Sequence, residues 1–197
     1  MDNVAFSTTN TLAKSNFISE FLKKENKVGS LAPSSRYLAQ KMLRHIPFDT
    51  AGVIVELGPG TGAFTPYLLQ KMKAGSTLIL LELNEVFYKE LLDKFNDSRL
   101  IILHGSATDL PNYLDQLKIA QVDCILSSLP LAILPPDISN TILDCSKKAL
   151  KTGGYFIQFQ YSWQSRKKIA RLYGNLSLGF TPWNFPPAFV YTCRKQN

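Results

Sequence analysis

Residues 53–64 read VIVELGPGTGAF. A carboxylate, Glu56, closes a run of β-branched and aliphatic residues, and Gly58, Gly60 and Gly62 follow at alternate positions. Glycine lets a backbone turn sharply and approach a ligand closely, so such a loop after a buried strand can cradle a small molecule. Two further acids stand at comparable places. Glu82 lies near the end of LILLELN, residues 78–84, and Asp109 lies in HGSATDL, residues 104–110.

Two cofactors fit the glycines. Gly58, Gly60 and Ala63 satisfy G-x-G-x-x-A, the dinucleotide fingerprint, with Glu82 spaced for a ribose hydroxyl. Glu56 to Gly62 satisfy E-x-G-x-G-x-G, the pattern associated with S-adenosylmethionine (SAM). Charge separates the two. A carboxylate at the first strand's end repels a pyrophosphate but attracts a sulfonium and an ammonium, a difference of several kcal/mol in a semi-buried cleft. SAM is therefore the expected cofactor. Glu82 is placed for both ribose hydroxyls and Asp109 for the adenine amine, with Ala107 beside the ring. A chain of 197 residues is also short for a dehydrogenase with its own substrate domain.

The acceptor side is written in CILSSLPLAILPP, residues 124–136. In amine-methylating enzymes a polar residue and a backbone carbonyl hold the nitrogen, and a proline fixes the turn. Ser127 is the expected amine-contacting residue. Enzymes acting on adenine or cytosine follow the proline with an aromatic that stacks on the base. Here Leu131 follows Pro130, and Ala132, Ile133 and Leu134 extend an aliphatic lip. The loop suits an aliphatic amine carried on an apolar molecule.

These residues need a scaffold that brings strand ends together. Apolar runs predict strands at 52–57, 77–82, 100–103 and 122–127, with helical patterns over 62–72, 85–95, 110–117 and 137–150 between them. That alternation implies a parallel sheet covered on both faces. TGG, residues 152–154, predicts a helix stop before a fifth strand, YFIQFQY. Two further apolar stretches flank a Pro-rich turn and predict a terminal hairpin, which must be antiparallel. The expected fold is α/β: a Rossmann-like, seven-stranded class I methyltransferase sheet of five parallel strands plus a C-terminal antiparallel hairpin. Upstream, Leu12, Phe17, Ile18, Phe21 and Leu22 face Lys14, Lys23, Lys24 and Lys27 on an amphipathic helix over 11–27. Ser34 or Ser35 is placed to cap a second helix carrying Tyr37, Leu38, Met42 and Leu43. The expected division is an N-terminal helical segment, 1–46, serving as membrane contact and lid, and a methyltransferase domain, 47–197.

Charge is unevenly spread. Residues 51–146 hold six Lys/Arg against eleven Asp/Glu, whereas 147–197 hold nine Lys/Arg and no acid. An acid-free final quarter implies an anionic partner, nucleic acid or anionic lipid. Cys124, Cys145 and Cys193 are widely spaced and form no metal or disulfide pattern. The chain shows neither an export signal nor an apolar run long enough to span a bilayer. A cytoplasmic protein, peripherally attached to the inner face of the membrane and monomeric, is expected, with no metal and no nucleic acid.

The sequence resembles the bacterial phospholipid N-methyltransferases, relatives of the ribosomal RNA adenine dimethylases. The resemblance is carried by VGSLAPSSRYLA (28–39), VELGPGTGAFT (55–65), LELN (81–84), HGSATDL, SSLPL (127–131), GGYFIQFQYS (153–162) and NFPPAFVY (184–191). It implies methyl transfer from SAM to the amine of phosphatidylethanolamine and its mono- and dimethyl derivatives. It implies a cofactor site lined by Ser30, Glu56, Gly58, Gly60, Gly62, Glu82, Leu83, Ser106, Ala107, Asp109 and Ser127, closed by the loop 29–36. The attacking amine must be neutral, and with a lysine-like pKa near ~10 its deprotonation at pH 7 costs roughly 4 kcal/mol. Water, Tyr37, Tyr161 or His104 are the candidate proton acceptors, and Tyr37, Tyr161, Trp163 and Trp183 the candidate faces for a methylated ammonium. Arg166, Lys167, Lys168 and Arg171 are placed to meet a lipid phosphate. An RNA methyltransferase, a non-enzymatic SAM-binding module and a nicotinamide enzyme remain as alternatives.

Overall fold

The computed structural model describes residues 35–197. The helix expected over 11–27, Ser30 and most of the loop 29–36 lie outside the described residues. Seven strands form one sheet: β1 (Val53–Leu57), β2 (Thr77–Glu82), β3 (Leu100–His104), β4 (Val122–Ser127), β5 (Leu150–Gln160), β6 (Ser177–Thr181) and β7 (Ala188–Arg194). Their order is β3-β2-β1-β4-β5-β7-β6. The first five run parallel, whereas β7 pairs antiparallel with both β5 and β6. This is the sheet the sequence implied. Its order reverses direction at β1 and β4, and the crevice beyond the carboxyl ends of such strands is where open α/β sheets bind ligands.

The central strands form because they are apolar on both sides. Ile54, Val55, Leu57, Leu78, Leu80, Leu81, Cys124, Ile125 and Leu126 are essentially inaccessible, as befits strands covered by helices on both faces. Helices α1 (Arg36–Leu43), α2 (Thr65–Lys71), α3 (Glu85–Lys94), α4 (Leu110–Gln116), α5 (Pro136–Ala149) and α6 (Arg166–Tyr173) complete the described fold. Ser35 caps α1, its hydroxyl accepting from the Leu38 amide at 3.2 Å. The helix then buries Leu38 and Met42 in one core with Ile54, Leu68, Leu80, Leu126 and Ile157. Asn84 caps α3 by accepting from Val86 N at 2.9 Å.

Two local expectations differ from what the fold shows. TGG does not precede β5 but lies inside it: Gly153 N donates to Lys195 O at 2.8 Å, and Lys195 N to Gly154 O at 2.8 Å. Pairing with the chain's end thus keeps two glycines in a strand. The basic stretch 164–173, read only as charge, holds the helix Arg166–Tyr173, with Ile169 and Tyr173 buried beneath it.

Candidate active site

Two acids, Glu56 and Glu82, meet at the glycine loop, and a third, Asp109, follows β3. Glu56 is fully buried on β1; its Oε2 accepts from the Thr65 hydroxyl at 2.8 Å, while Oε1 has no partner among the described residues. Burial, offset by the Thr65 hydrogen bond and reinforced by the charge of Glu82, raises its carboxyl from 4.5 to about 7. Glu82 ends β2 and knits the loop, its oxygens accepting from Gly60 N at 3.0 Å and Asn84 N at 2.8 Å. Burial pushes this carboxyl up too, and those N–H donors hold it down. Each oxygen keeps a second lone pair for a ligand hydroxyl. Asp109 follows β3 in a short turn, Ala107–Asp109, that Ser106 caps. The Asp109 side chain caps nothing at α4, and burial raises its carboxyl.

Two glycines show why the loop needs them. Gly58, at φ 65°, would press a Cβ within 2.6 Å of Leu129 Cδ2. Gly60, at φ 57°, would meet nothing within 4 Å. The first glycine therefore lets the β4 loop close on the cradle, and the second faces open space.

At the end of β4 the two serines behave differently. Ser127 Oγ turns back into the chain, accepting from Leu129 N at 3.4 Å. Ser128 N donates to Leu57 O at 2.9 Å, while its hydroxyl is buried without a partner. Gln158 stands in register with Ser127 on β5. Its Nε2 donates to Leu129 O at 2.9 Å and Phe159 O at 2.6 Å, leaving Oε1 buried and unpaired. With Leu131 N also donating to it at 2.8 Å, the Leu129 carbonyl is filled. At the end of β5 Gln160 Nε2, and just beyond it Ser162 Oγ, are buried and unpartnered as well. Buried polar groups are normally satisfied, so Ser128, Gln158, Gln160 and Ser162, at the carboxyl ends of β4 and β5, mark a candidate ligand site, while Glu56 on β1 faces the other side of the sheet from Gln158 and Gln160. Ser128 and Gln158 were not singled out from the sequence. Glutamines in an otherwise apolar strand were the signal available.

The remaining candidates spread out. Leu83 places its carbonyl oxygen 3.1 Å from His104 Nε2, and the His104 ring stacks on Tyr88 at 4.9 Å. His104 ends β3, three strand positions from β4, or about 14 Å, so the fold does not bring it to Ser127. Tyr161 packs edge-on against Phe159 at 5.6 Å, and burial raises its phenol. Tyr37 lies 6.4 Å from Trp183. Trp163 instead stacks on Phe189 at 6.3 Å. Phe189 is in register with Gln160 on β5, whereas Phe159 precedes it and faces the other side of the sheet.

This fold, with an acid-lined glycine cradle at its switch point, defines a class I methyltransferase. The methyltransferase-domain family matches residues 55–158, and the chain belongs to that family. It is 32% identical to an ornithine lipid N-methyltransferase of Singulisphaera acidiphila over 90% of this chain and 94% of that protein. It is 30% identical to ribosomal RNA small subunit methyltransferase A of a Hydrogenobaculum species, over 47% of this chain and 36% of that one. An O-methyltransferase of tomaymycin synthesis from Streptomyces achromogenes, solved with SAM, superposes with a TM-score of 0.68 at 13% identity, covering 98% and 92% of the two chains. SAM is the methyl donor of the family, and the residues fit it. Among the described residues none of Glu56, Glu82 and Asp109 is in an ion pair, which leaves their charge for a cationic ligand.

Proposed function

We propose that this protein transfers methyl groups from SAM to the amine of a membrane lipid, phosphatidylethanolamine and its mono- and dimethyl derivatives. Ser128 supports this most directly. Its free hydroxyl, with Gln158 Oε1, offers an amine two acceptors at the boundary between the cofactor cradle and β5. The buried Leu131 after Pro130 offers no ring to a nucleobase, and Leu134 is buried with it while Ile133 is exposed. The similarity to an ornithine lipid N-methyltransferase supports a second reading, in which the amine belongs to an ornithine headgroup.

When bound, SAM supplies an electrophilic methyl. The chain's task is to hold a neutral amine in line with it. Ser128 and Gln158 accept the two N–H bonds of the primary amine, or the one left after the first methylation, and so aim the lone pair; the tertiary amine has no N–H to offer and is held by the shape of the pocket. Burial disfavours the ammonium form and lowers the cost of deprotonation. Gln160 Nε2 and Ser162 Oγ are donors for headgroup oxygens. Tyr161, its phenol raised by burial, stays protonated at neutral pH and does not take the proton, so orientation rather than base catalysis supplies most of the rate. The test is labelled SAM with vesicles of phosphatidylethanolamine or ornithine lipid, followed by resolution of the lipids. Ser128→Ala should keep its SAM affinity and lose roughly tenfold to hundredfold in kcat, as expected for one hydrogen bond to a reacting amine. Unlabelled lipids, or full activity in the variant, would refute the reading.

A further inference from the structure

The sheet's outer edge carries exposed aromatic side chains. Trp163 is 67% exposed, Trp183 73%, Phe185 83% and Phe180 48%. Phe180 and Phe189 share a register position across β6 and β7, their rings 5.0 Å apart, and Trp163 stacks on the far side of Phe189. Leu178, two residues before Phe180, points to the same face and is also exposed. Trp183 and Phe185 are exposed in the β6–β7 turn, where Trp183 lies 6.4 Å from Tyr37 of α1. An apolar surface of this extent is uncommon unless something covers it.

Its borders say what that is. Helix α6 packs on β7 next to this face and exposes Arg166, Lys167 and Arg171. Between α6 and α5 runs a groove of about 600 Å³ lined by Lys147, Lys167, Lys168 and Arg171, with Asp144 as its acid. No acid occurs after Asp144 in the sequence. Tryptophan and phenylalanine beside lysine and arginine match the interface of an anionic bilayer, where rings enter the headgroup layer and cations meet phosphates. Phenylalanines and a leucine packed against one another bury better in acyl chains than on separate RNA bases.

We infer that Trp163, Phe180, Trp183 and Phe185 enter an anionic lipid surface, with α6 on the headgroups. This rests on the lipid-methylation reading and adds the face by which the protein docks. Trp163 and Trp183 are the chain's two tryptophans, so emission excited selectively at tryptophan, beyond tyrosine absorption, reports on these two side chains. The full chain is titrated with phosphatidylglycerol–phosphatidylcholine vesicles, which contain no primary amine; docking is thereby read independently of methyl transfer. A blue shift, quenching by bromine-labelled acyl chains, and loss of both in high salt are expected. The double variant Trp183→Ser, Phe185→Ser should co-sediment with vesicles at least tenfold less well, while its SAM affinity and melting temperature are unchanged. Trp163→Ser provides a second variant on the other side of the surface. Co-sedimentation without bromolipid quenching would overturn the inference. So would a shift produced by RNA but not by vesicles, or one that follows protein concentration and so reports a second copy. Tryptophans shielded from acrylamide in the free chain would mean that the chain covers its own surface, and would overturn it as well.

Discussion

Glu56, if it faces the cofactor as proposed, should make SAM binding depend on pH. Burial raises its carboxyl from 4.5 to about 7, so the unliganded protein holds it largely protonated in mildly acidic solution. The carboxyl is raised on folding, so its contribution to stability is fully present below about pH 4.5. It is lost as pH climbs to about 7 and is constant above that; at pH 8 the loss amounts to about 3 kcal/mol. SAM brings a sulfonium and an ammonium, which favour the ionised form. About 1% of a group with that pKa is ionised at pH 5 and half at pH 7, so SAM affinity should rise roughly 50-fold between them. Glu56→Gln removes the titration. It should bind SAM about tenfold to hundredfold more weakly at pH 7.5, retain only the slope due to Glu82 and Asp109, and be more stable than the parent above pH 7 without ligand. Isothermal titration calorimetry at pH 5, 6 and 7 measures the affinities, and urea denaturation at pH 8 the stability. A parent affinity that is flat from pH 5 to 7, or a variant less stable at pH 8, would refute the argument from burial.

The glycine loop gives two contrasting outcomes. Gly58→Ala puts a Cβ 2.6 Å from Leu129 at φ 65°; it should destabilise by about 2 kcal/mol and lower activity by displacing the β4 loop. Gly60→Ala, with open space around its Cβ, should lose about 1 kcal/mol for its φ yet bind SAM much more weakly, as calorimetry and thermal unfolding together would show. Leu38→Ala, inside the core that α1 shares with the sheet, should cost about 2–5 kcal/mol in urea denaturation; a smaller loss would mean that α1 packs less tightly than its burial implies.

The sheet was legible because its central strands are buried on both faces and therefore read as unbroken aliphatic runs, as in TLILLE and VDCILS. The hairpin was legible from a Pro-rich turn between two apolar stretches. Helix α6 was not, since RKKIARLY places few apolar residues on its inner side. Its fold depends on long-range packing, Tyr173 stacking on Phe156 at 5.2 Å. Glycines 153 and 154 read as a stop because the partner that holds them in a strand, Lys195, lies some forty residues away in the chain. Spacing alone picked out the acids that the fold places at the ends of β1 and β2 and after β3. Choosing between Ser127 and Ser128 required knowing where β4 ends: the last strand residue turns its hydroxyl into the loop, and the next one leaves it free.

The strand order also sorts charge across the sheet. Glu56, Glu82 and Asp109 belong to β1, β2 and the turn after β3, on one side of the switch point. Arg166, Lys167, Lys168 and Arg171 belong to the element between β5 and β6, on the other. A chain that is acidic in its middle and basic at its end thus becomes a sheet that is acidic on one flank and basic on the other. Such a sheet can hold a cationic cofactor and an anionic surface at once, provided that the reacting groups meet between them. Ser128 and Gln158 stand at that boundary. The two flanks also feel salt differently. The cofactor-side carboxylates Glu56 and Glu82 are buried and weakly screened, whereas exposed Arg166, Lys167 and Arg171 lie within a Debye length of solvent ions. On the proposed reading, raising ionic strength should therefore separate the enzyme from its lipid surface before it separates it from SAM.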